Sequence, residues 1–261
     1  MTIGGGTAPK GVRRVKALLI DLDDTLYRCH QIPASCRSAI EAYIHQHLSV
    51  PLDEVPQLTS QLYFSHGTTL AGLVASGYKI DYDHWHQLVH HEAIDYSLLK
   101  PDPVLRNLLC SIDIPKFILT NADRKHAQIC LDRLGLSDCF KAVYDFEWVM
   151  AAAEQQHLID PGHAVLCKPS PQVYHLVLAA MHCTAQEVIF FDDSARNVAA
   201  AHSLGMTTVL VGQAEPVPGS NMCLLDMHQL PSLLPELVDQ PGLVHAGHNG
   251  ELLELVEPLQ A

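Results

Sequence analysis

A chain of 261 residues that is 48% hydrophobic can bury a full core, as one large domain or two modest ones, and so reads as an ordinary globular protein. Its formal net charge of -13 offers no basic stripe to a nucleic acid backbone, so no nucleic acid polymer is expected as a partner and any anionic ligand must be handled locally. No apolar run approaches the roughly 18 residues of a membrane span, so no membrane partner is expected either.

The segment up to Gly11 lacks the apolar centre of a secretory signal, and the cytoplasm is the expected compartment. Lys10, Arg13, Arg14 and Lys16, with no acid before Ala17, faintly resemble an organelle transit sequence. The eight cysteines form no CxxC pair, in a chain large enough to need no staples, and are read as reduced, mostly buried thiols.

The first apolar run, Leu18-Leu19-Ile20, leads straight into Asp21, Asp23, Asp24 and Thr25. Strand periodicity puts Asp21 and Asp23 on one side of the chain, so their carboxylates are expected to converge around something cationic, with Asp24 facing away. The candidates are a hard divalent metal and a shared proton. Asp21, leading the cluster, is the candidate nucleophile for attack on phosphorus, forming an acyl phosphate that water later opens. Asp23 is then the general acid and base, which calls for a pKa raised by its carboxylate neighbours or its surroundings.

From about Cys29 to Leu99 the pattern is helical without a credible core strand, as in Ile40, Ile44 and Leu48, Leu58 and Leu62, and Leu70 and Leu73. This stretch reads as an insertion sitting as a cap above the strand ends. Within it His84, His86, His90 and His91 cluster, with His86 and His90 one helical turn apart. That spacing could hold zinc, but with no HExxH pattern and no nearby Cys pair the expected arrangement is a His-rich solvated helix face. Lys100-Pro101-Asp102-Pro103 marks the return to the core, because each residue before a proline is pushed away from helix.

Four further runs read as buried strands: Phe117 to Thr120, Ala142 to Phe146, Val188 to Phe191 and Thr207 to Val211. Helical patterns separate them, the clearest from Ala122 to Leu134, closed by Gly135, and from Ser170 to Met181. The alternation predicts a parallel α/β sheet whose ligand site lies outside the carboxyl ends of the strands. Thr120 and Asn121 end one strand and precede a helix, where a hydroxyl and free N–H groups suit a phosphate, although Asn121 alone is an ordinary helix cap. Lys168 would neutralise developing negative charge. Asp192 and Asp193 end another strand and again call for a cation. With the Asp21 carboxylate, the Asp23 carbonyl and water, Asp193 could complete an octahedral Mg2+ site, Asp192 ligating or ordering water.

Asp21-x-Asp23-x-Thr25, Thr120, Lys168 and Asp192-Asp193, in this order at strand ends, resemble the four motifs of the haloacid dehalogenase (HAD) superfamily. The resemblance spans about Ala17 to Leu237. It implies an α/β, Rossmann-like parallel sheet core with a helical cap inserted after the first strand: residues 15–28 and 100–238 as core, 29–99 as cap, and 1–14 and 239–261 as tails, the last with at most one docked helix around Leu252 to Val256. It also implies the roles of nucleophile for Asp21, acid/base for Asp23, phosphate binding for Thr120 and Lys168, and magnesium binding for the acids of the fourth motif.

Wording beyond the motifs, Gly67-Thr68-Thr69-Leu70-Ala71-Gly72-Leu73, Leu99 to Pro103, Thr120-Asn121-Ala122-Asp123 and Phe191 to Asn197, is similar to the pyrimidine 5'-nucleotidase group of fungal and plant HAD phosphatases. That implies hydrolysis of a small phosphorylated substrate, a nucleoside monophosphate such as UMP or CMP. The chain departs from the group where His-Gly-Arg-Leu-Pro-Tyr is expected in the cap, for it carries His90-His91-Glu92-Ala93-Ile94-Asp95-Tyr96. Glu92 in place of Arg either disfavours a second anionic group on the ligand or faces solvent, and His90 and Glu92 are the candidate specificity residues. Other readings are a phosphatase for a sugar phosphate, phosphoglycolate or lysophospholipid, a dehalogenase, which Asp23, Asp192 and Asp193 argue against, a phosphomutase, and a catalytically silent scaffold. The oligomeric state is not readable from the sequence.

Overall fold

A computed structural model describes residues 13–160, 162, 164–238 and 254–255. After a two-residue β1 (Arg13–Arg14), β2 (Ala17–Ile20) runs through the centre of the molecule. Four helices follow: α1 (Gln31–Leu48), α2 (Val55–His66), α3 (Thr69–Ala75) and α4 (Tyr82–His86), the last continuing into a π-helical turn at Gln87–Glu92. The chain then alternates through α5 (Pro103–Cys110), β3 (Lys116–Leu119), α6 (Arg124–Leu134), β4 (Ala142–Tyr144), α7 (Phe146–Gln155), α8 (Pro171–Met181), β5 (Val188–Asp192), α9 (Ala195–Ser203) and β6 (Thr207–Val211). It closes with β7 (Met222–Leu224), α10 (Leu230–Leu233) and β8 (Glu254–Leu255).

The main sheet has the order β4-β3-β2-β5-β6-β7, and every neighbouring pair is parallel. This is the α/β Rossmann-like architecture expected from the alternation of runs. Strands buried on both faces are apolar throughout, as Ala-Leu-Leu-Ile in β2 and Val-Ile-Phe-Phe in β5 require. Alternate side chains go to opposite layers. Leu19, Phe117 and Phe190 pack with Tyr174 and Val177 of α8, whereas Leu18, Ile118 and Phe191 pack with Leu105 of α5 and Leu131 of α6. The first layer also takes in Tyr43, Ile44, Leu62, Leu73 and Trp85, so the helical segment shares a continuous apolar core with the sheet.

The chain leaves β2 for β3 and β4 on one side, then returns to β5 on the other side of β2. The strand order therefore reverses beside β2, and the crevice of such a sheet opens there, at the carboxyl ends. Asp21 and Asp192 stand at the ends of these two adjacent strands, whose register pairs Ile20 with Phe191.

Some boundaries differ from the sequence expectation for local reasons. Helix α6 begins at Arg124 rather than Ala122 because Asp123, not Asn121, is the N-cap, its carboxylate accepting from the His126 N–H at 3.1 Å. The strand expected to reach Phe146 stops at Tyr144, since Asp145 caps α7 by accepting from the Trp148 N–H at 2.8 Å. The short, half-buried β7 has no long apolar run to announce it. All eight cysteines are free, but only Cys130, Cys139 and Cys167 are buried, fewer than expected. Where a docked helix was expected in the tail, Glu254–Leu255 instead pair antiparallel with Arg13–Arg14, and the rest of that expectation lies outside the described residues. No helix among the described residues is long and apolar enough to cross a membrane.

Candidate active site

A cavity of about 620 Å³ opens at the strand ends, within the range of small-molecule sites. Asp21, Asp23, Thr120, Asn121, Lys168 and Asp193 line its floor, and His86, His90 and Trp85 from the helical segment line its wall. Lys168 is the hub. Only 1% exposed, its Nζ lies 2.7 Å from Asp21 Oδ1 and 2.7 Å from Asp192 Oδ2, and donates to the Leu119 carbonyl at 2.8 Å. Burial disfavours the charge of the lysine, but the two carboxylates, Asp192 first and then Asp21, outweigh it and raise its pKa, so it stays charged.

Asp192 is wholly buried and saturated, accepting also from the Ser194 N–H at 2.8 Å and from Asn197 Nδ2 at 3.0 Å. Asp193 faces the cavity. Burial, then the charge of Asp192, raise its carboxyl to about 7 despite the opposing Lys168. Asp21 is likewise raised, first by burial and then by the neighbouring acids, with Lys168 pulling the other way. Oxygens of Asp21, Asp192 and Asp193 lie within 4.8 Å of one another. Three carboxylates facing one ammonium leave negative charge uncompensated, and an all-oxygen donor set matches a hard divalent cation such as Mg2+.

Asp23 departs from the sequence reading. Its carboxylate turns away from Asp21 toward α6, where Oδ1 meets His126 Nε2 at 2.8 Å and accepts from the Tyr27 hydroxyl. Burial pushes its pKa up, but the His126 charge and the hydrogen bonds from His126 and Tyr27 outweigh this and hold it near about 2. His126 responds in the opposite sense: burial disfavours its charge, yet Asp23 raises its pKa well above that of a free imidazole. The Asp23–His126 pair thus holds one proton between them, where the sequence reading expected a protonated carboxyl pressed by its acidic neighbours. His126 was missed because its only sequence signal is its place in the first turn of a helix that starts beside Thr120. Asp24 was expected to face away, but it lines the cavity on a left-handed backbone of φ 56°.

Thr120 is buried at the cavity floor, its hydroxyl accepting from the Ala122 N–H at 3.0 Å. The Asn121 side chain was expected to bind phosphate but clasps the backbone of Lys168, Oδ1 accepting from its N–H at 2.8 Å and Nδ2 donating to its carbonyl at 3.1 Å. The amide is occupied on both sides, so Asn121 positions Lys168. Gly67 supports the same loop from the helical segment. At φ +90° it sits where a Cβ would lie 2.4 Å from the Lys168 carbonyl oxygen and 2.9 Å from Pro169 Cδ. Gly67→Ala is therefore expected to destabilise the fold by about 1–3 kcal/mol and to lower activity by displacing Lys168, read by urea denaturation and by turnover.

The histidine cluster is only in part the solvated face that its sequence suggested: His84 is exposed, but the other three are not. His86 is 6% exposed, and His86, His90 and His91 converge on the buried carboxylate of Asp123, at 3.7, 2.5 and 2.7 Å. The π-helical turn brings the consecutive His90 and His91 to the same acid. Glu92 follows on the outer side of that turn, exposed and accepting from Gln87 Nε2 at 3.0 Å, so it does not meet the cavity as a specificity residue would. His90 does.

A family model described as haloacid dehalogenase-like hydrolase matches residues 15–205. Among curated proteins, the chain is 24% identical over 204 residues to "Phosphate metabolism protein 8" of Saccharomyces cerevisiae, a match covering 75% of this chain and 61% of that protein's length. Among solved structures, L-2-haloacid dehalogenase from Xanthobacter autotrophicus superposes with a TM-score of 0.52 at 17% identity, covering 86% of this chain and all of that one. A HAD phosphatase from Thermococcus onnurineus superposes with a TM-score of 0.53 at 16% identity, covering 84% of this chain and 98% of that one. At these identities the structural likeness is one of fold.

Proposed function

The chain belongs to the haloacid dehalogenase-like hydrolase family, and from that premise we propose that it is a Mg2+-dependent phosphomonoesterase acting on a nucleoside 5'-monophosphate through an aspartyl phosphate on Asp21. The observation that carries the reading is the triple grip of Lys168 on Asp21, Asp192 and the Leu119 carbonyl, which holds a cation beside a carboxylate open to the cavity. Asp21 and Asp193, with the Asp23 carbonyl, would hold Mg2+, which when bound neutralises phosphoryl oxygens and the carboxylates around them, while Asp192, expected from the sequence to ligate, has both oxygens taken by Lys168, Ser194 and Asn197 and adds its negative charge from behind.

In this mechanism Asp21 attacks phosphorus, forming an acyl phosphate as the ester bond to the leaving oxygen breaks. Asp23 delivers the proton held with His126 to that leaving oxygen. In the second half Asp23 takes a proton from the attacking water, which opens the acyl phosphate and frees Asp21 and inorganic phosphate. Thr120 and Lys168 receive the phosphoryl oxygens. The helical segment at residues 29–99 acts as the cap that screens the site from bulk water. A dehalogenase reading leaves Asp23, Asp192 and Asp193 without work.

The nucleotide reading draws support from the cavity rim. Tyr63 and Phe64 are 50% and 74% exposed, and the Arg196 guanidinium lies 4.7 and 5.3 Å from their ring centroids. Flat aromatic and guanidinium surfaces of this kind suit a base. Phosphate release measured across nucleoside monophosphates, sugar phosphates, phosphoglycolate and lysophospholipids tests the substrate class. Preference for UMP or CMP is expected, whereas equal poor rates on all of them would refute the nucleotidase reading. For the metal, Asp193→Asn is expected to lower activity about 10–100-fold at limiting Mg2+ and to recover part of it at excess Mg2+. A wild-type rate indifferent to chelator would remove the metal from the mechanism.

A further inference from the structure

The Asp123 cluster lies in the cavity wall and has no part in the chemistry above. Asp123 is 1% exposed and its two oxygens are divided between neighbours. Oδ1 accepts from the His126 N–H at 3.1 Å and meets His91 Nε2 at 2.7 Å, while Oδ2 lies 2.5 Å from His90 Nδ1 and 3.7 Å from His86 Nδ1. Nitrogens of His86 and His90 and an oxygen of Asp123 all lie within 4.8 Å of one another.

His86 supplies the second observation. Both of its ring nitrogens are buried, and neither finds a hydrogen-bond partner among the described residues. A buried imidazole without a partner is costly, and a native interior rarely keeps one without a reason. Its ring is held in place by stacking on His90 at 5.4 Å between centroids and by an edge contact with Phe146 at 4.7 Å. Its Nδ1 stands 3.7 Å from Asp123 Oδ2, beyond direct hydrogen-bond distance.

We propose that His86, His90 and Asp123 form a binding site for a divalent transition-metal ion of the zinc type, joining the helical segment to the strand end beyond β3. Two imidazoles and one carboxylate are a donor set that Zn2+ accepts in tetrahedral geometry, and that a hard ion such as Mg2+ does not prefer. His86 and His90 both line the cavity, from which an ion would reach them. His91 and the His126 N–H on the other oxygen would orient the carboxylate, as groups behind metal ligands commonly do. The all-oxygen cluster at Asp21, Asp192 and Asp193 and this nitrogen-rich one are thus sorted by chemistry, and neither needs the other to be filled.

The test is titration of chelator-stripped full-length protein with Zn2+ under saturating Mg2+, followed by calorimetry, with Co2+ as a visible probe. One tight Zn2+ equivalent per chain is expected. His86→Ala and His90→Gln should each weaken it about 100-fold, and Asp193→Asn should leave it in place. Co2+ should show the intense absorption of a four-coordinate site containing nitrogen, absent in His90→Gln. The proposal fails if the wild type binds no Zn2+ in the presence of Mg2+, if the bound equivalent survives a folded His86→Ala at wild-type affinity, or if it is lost in Asp193→Asn. Should His86→Ala not fold, the wild-type Co2+ spectrum and His90→Gln decide, and a weak octahedral spectrum overturns the site.

Discussion

Asp21→Asn is expected to lower phosphate release about 10⁴-fold or more while leaving the fold intact. The size follows from the role: an amide cannot form the acyl phosphate, and the remaining groups can only bind and polarise the ester. Stability should hold because the substitution removes a buried carboxylate whose charge is already disfavoured there, and Lys168 keeps Asp192 and the Leu119 carbonyl as partners. Single-turnover assays of the variant with a labelled phosphomonoester, beside its urea denaturation curve, read both halves. Turnover within tenfold of wild type in a folded variant would remove Asp21 as nucleophile.

Lys168→Met should do the opposite to stability, costing about 3–5 kcal/mol as well as activity. The fully buried ammonium is the shared counter-charge of Asp21 and Asp192, and without it a wholly buried carboxylate and one at the cavity floor stand side by side with no cation between them. The pH dependence fixes the cause. With Lys168 gone, nothing offsets the burial and the neighbouring acids that raise the Asp21 carboxyl above its value in the unfolded chain, so its charge destabilises the variant most at neutral pH and less as it takes up a proton. The gap between variant and wild type should therefore narrow as pH falls toward the ordinary carboxylate range, near about 4. A gap that stays constant from pH 7 to 4 would mean that lost packing, not charge, is responsible.

The parallel sheet was legible because each of its buried strands is a short apolar run that ends on polar residues. The same punctuation located Asp21, Thr120 and Asp192-Asp193, which the fold brings to one crevice. What remained hidden depended on directions that strand period does not carry. Asp23 follows β2, and its carboxylate leans toward His126, more than a hundred residues away along the chain, rather than toward Asp21. Asn121 looked like a helix cap or a phosphate ligand, but the cap fell to Asp123 and the amide to the backbone of Lys168, both choices set by tertiary packing. The histidines of the helical segment read as solvent-facing because the acid that gathers them, Asp123, belongs to another part of the sequence. Their convergence also depends on a π-helical turn, which the 3.6-residue pattern does not predict.

One oxygen of Asp123 caps α6 through the His126 N–H and at the same time accepts from His91 of the helical segment. The turn that presents His126 to Asp23 is thus fastened to the helical segment as well as to the sheet. The carboxylate that starts α6 takes its second partner from residues that precede β3 by a whole run of helices, so the placement of the pair that shares the proton is set jointly by the connection after β3 and by the segment above it.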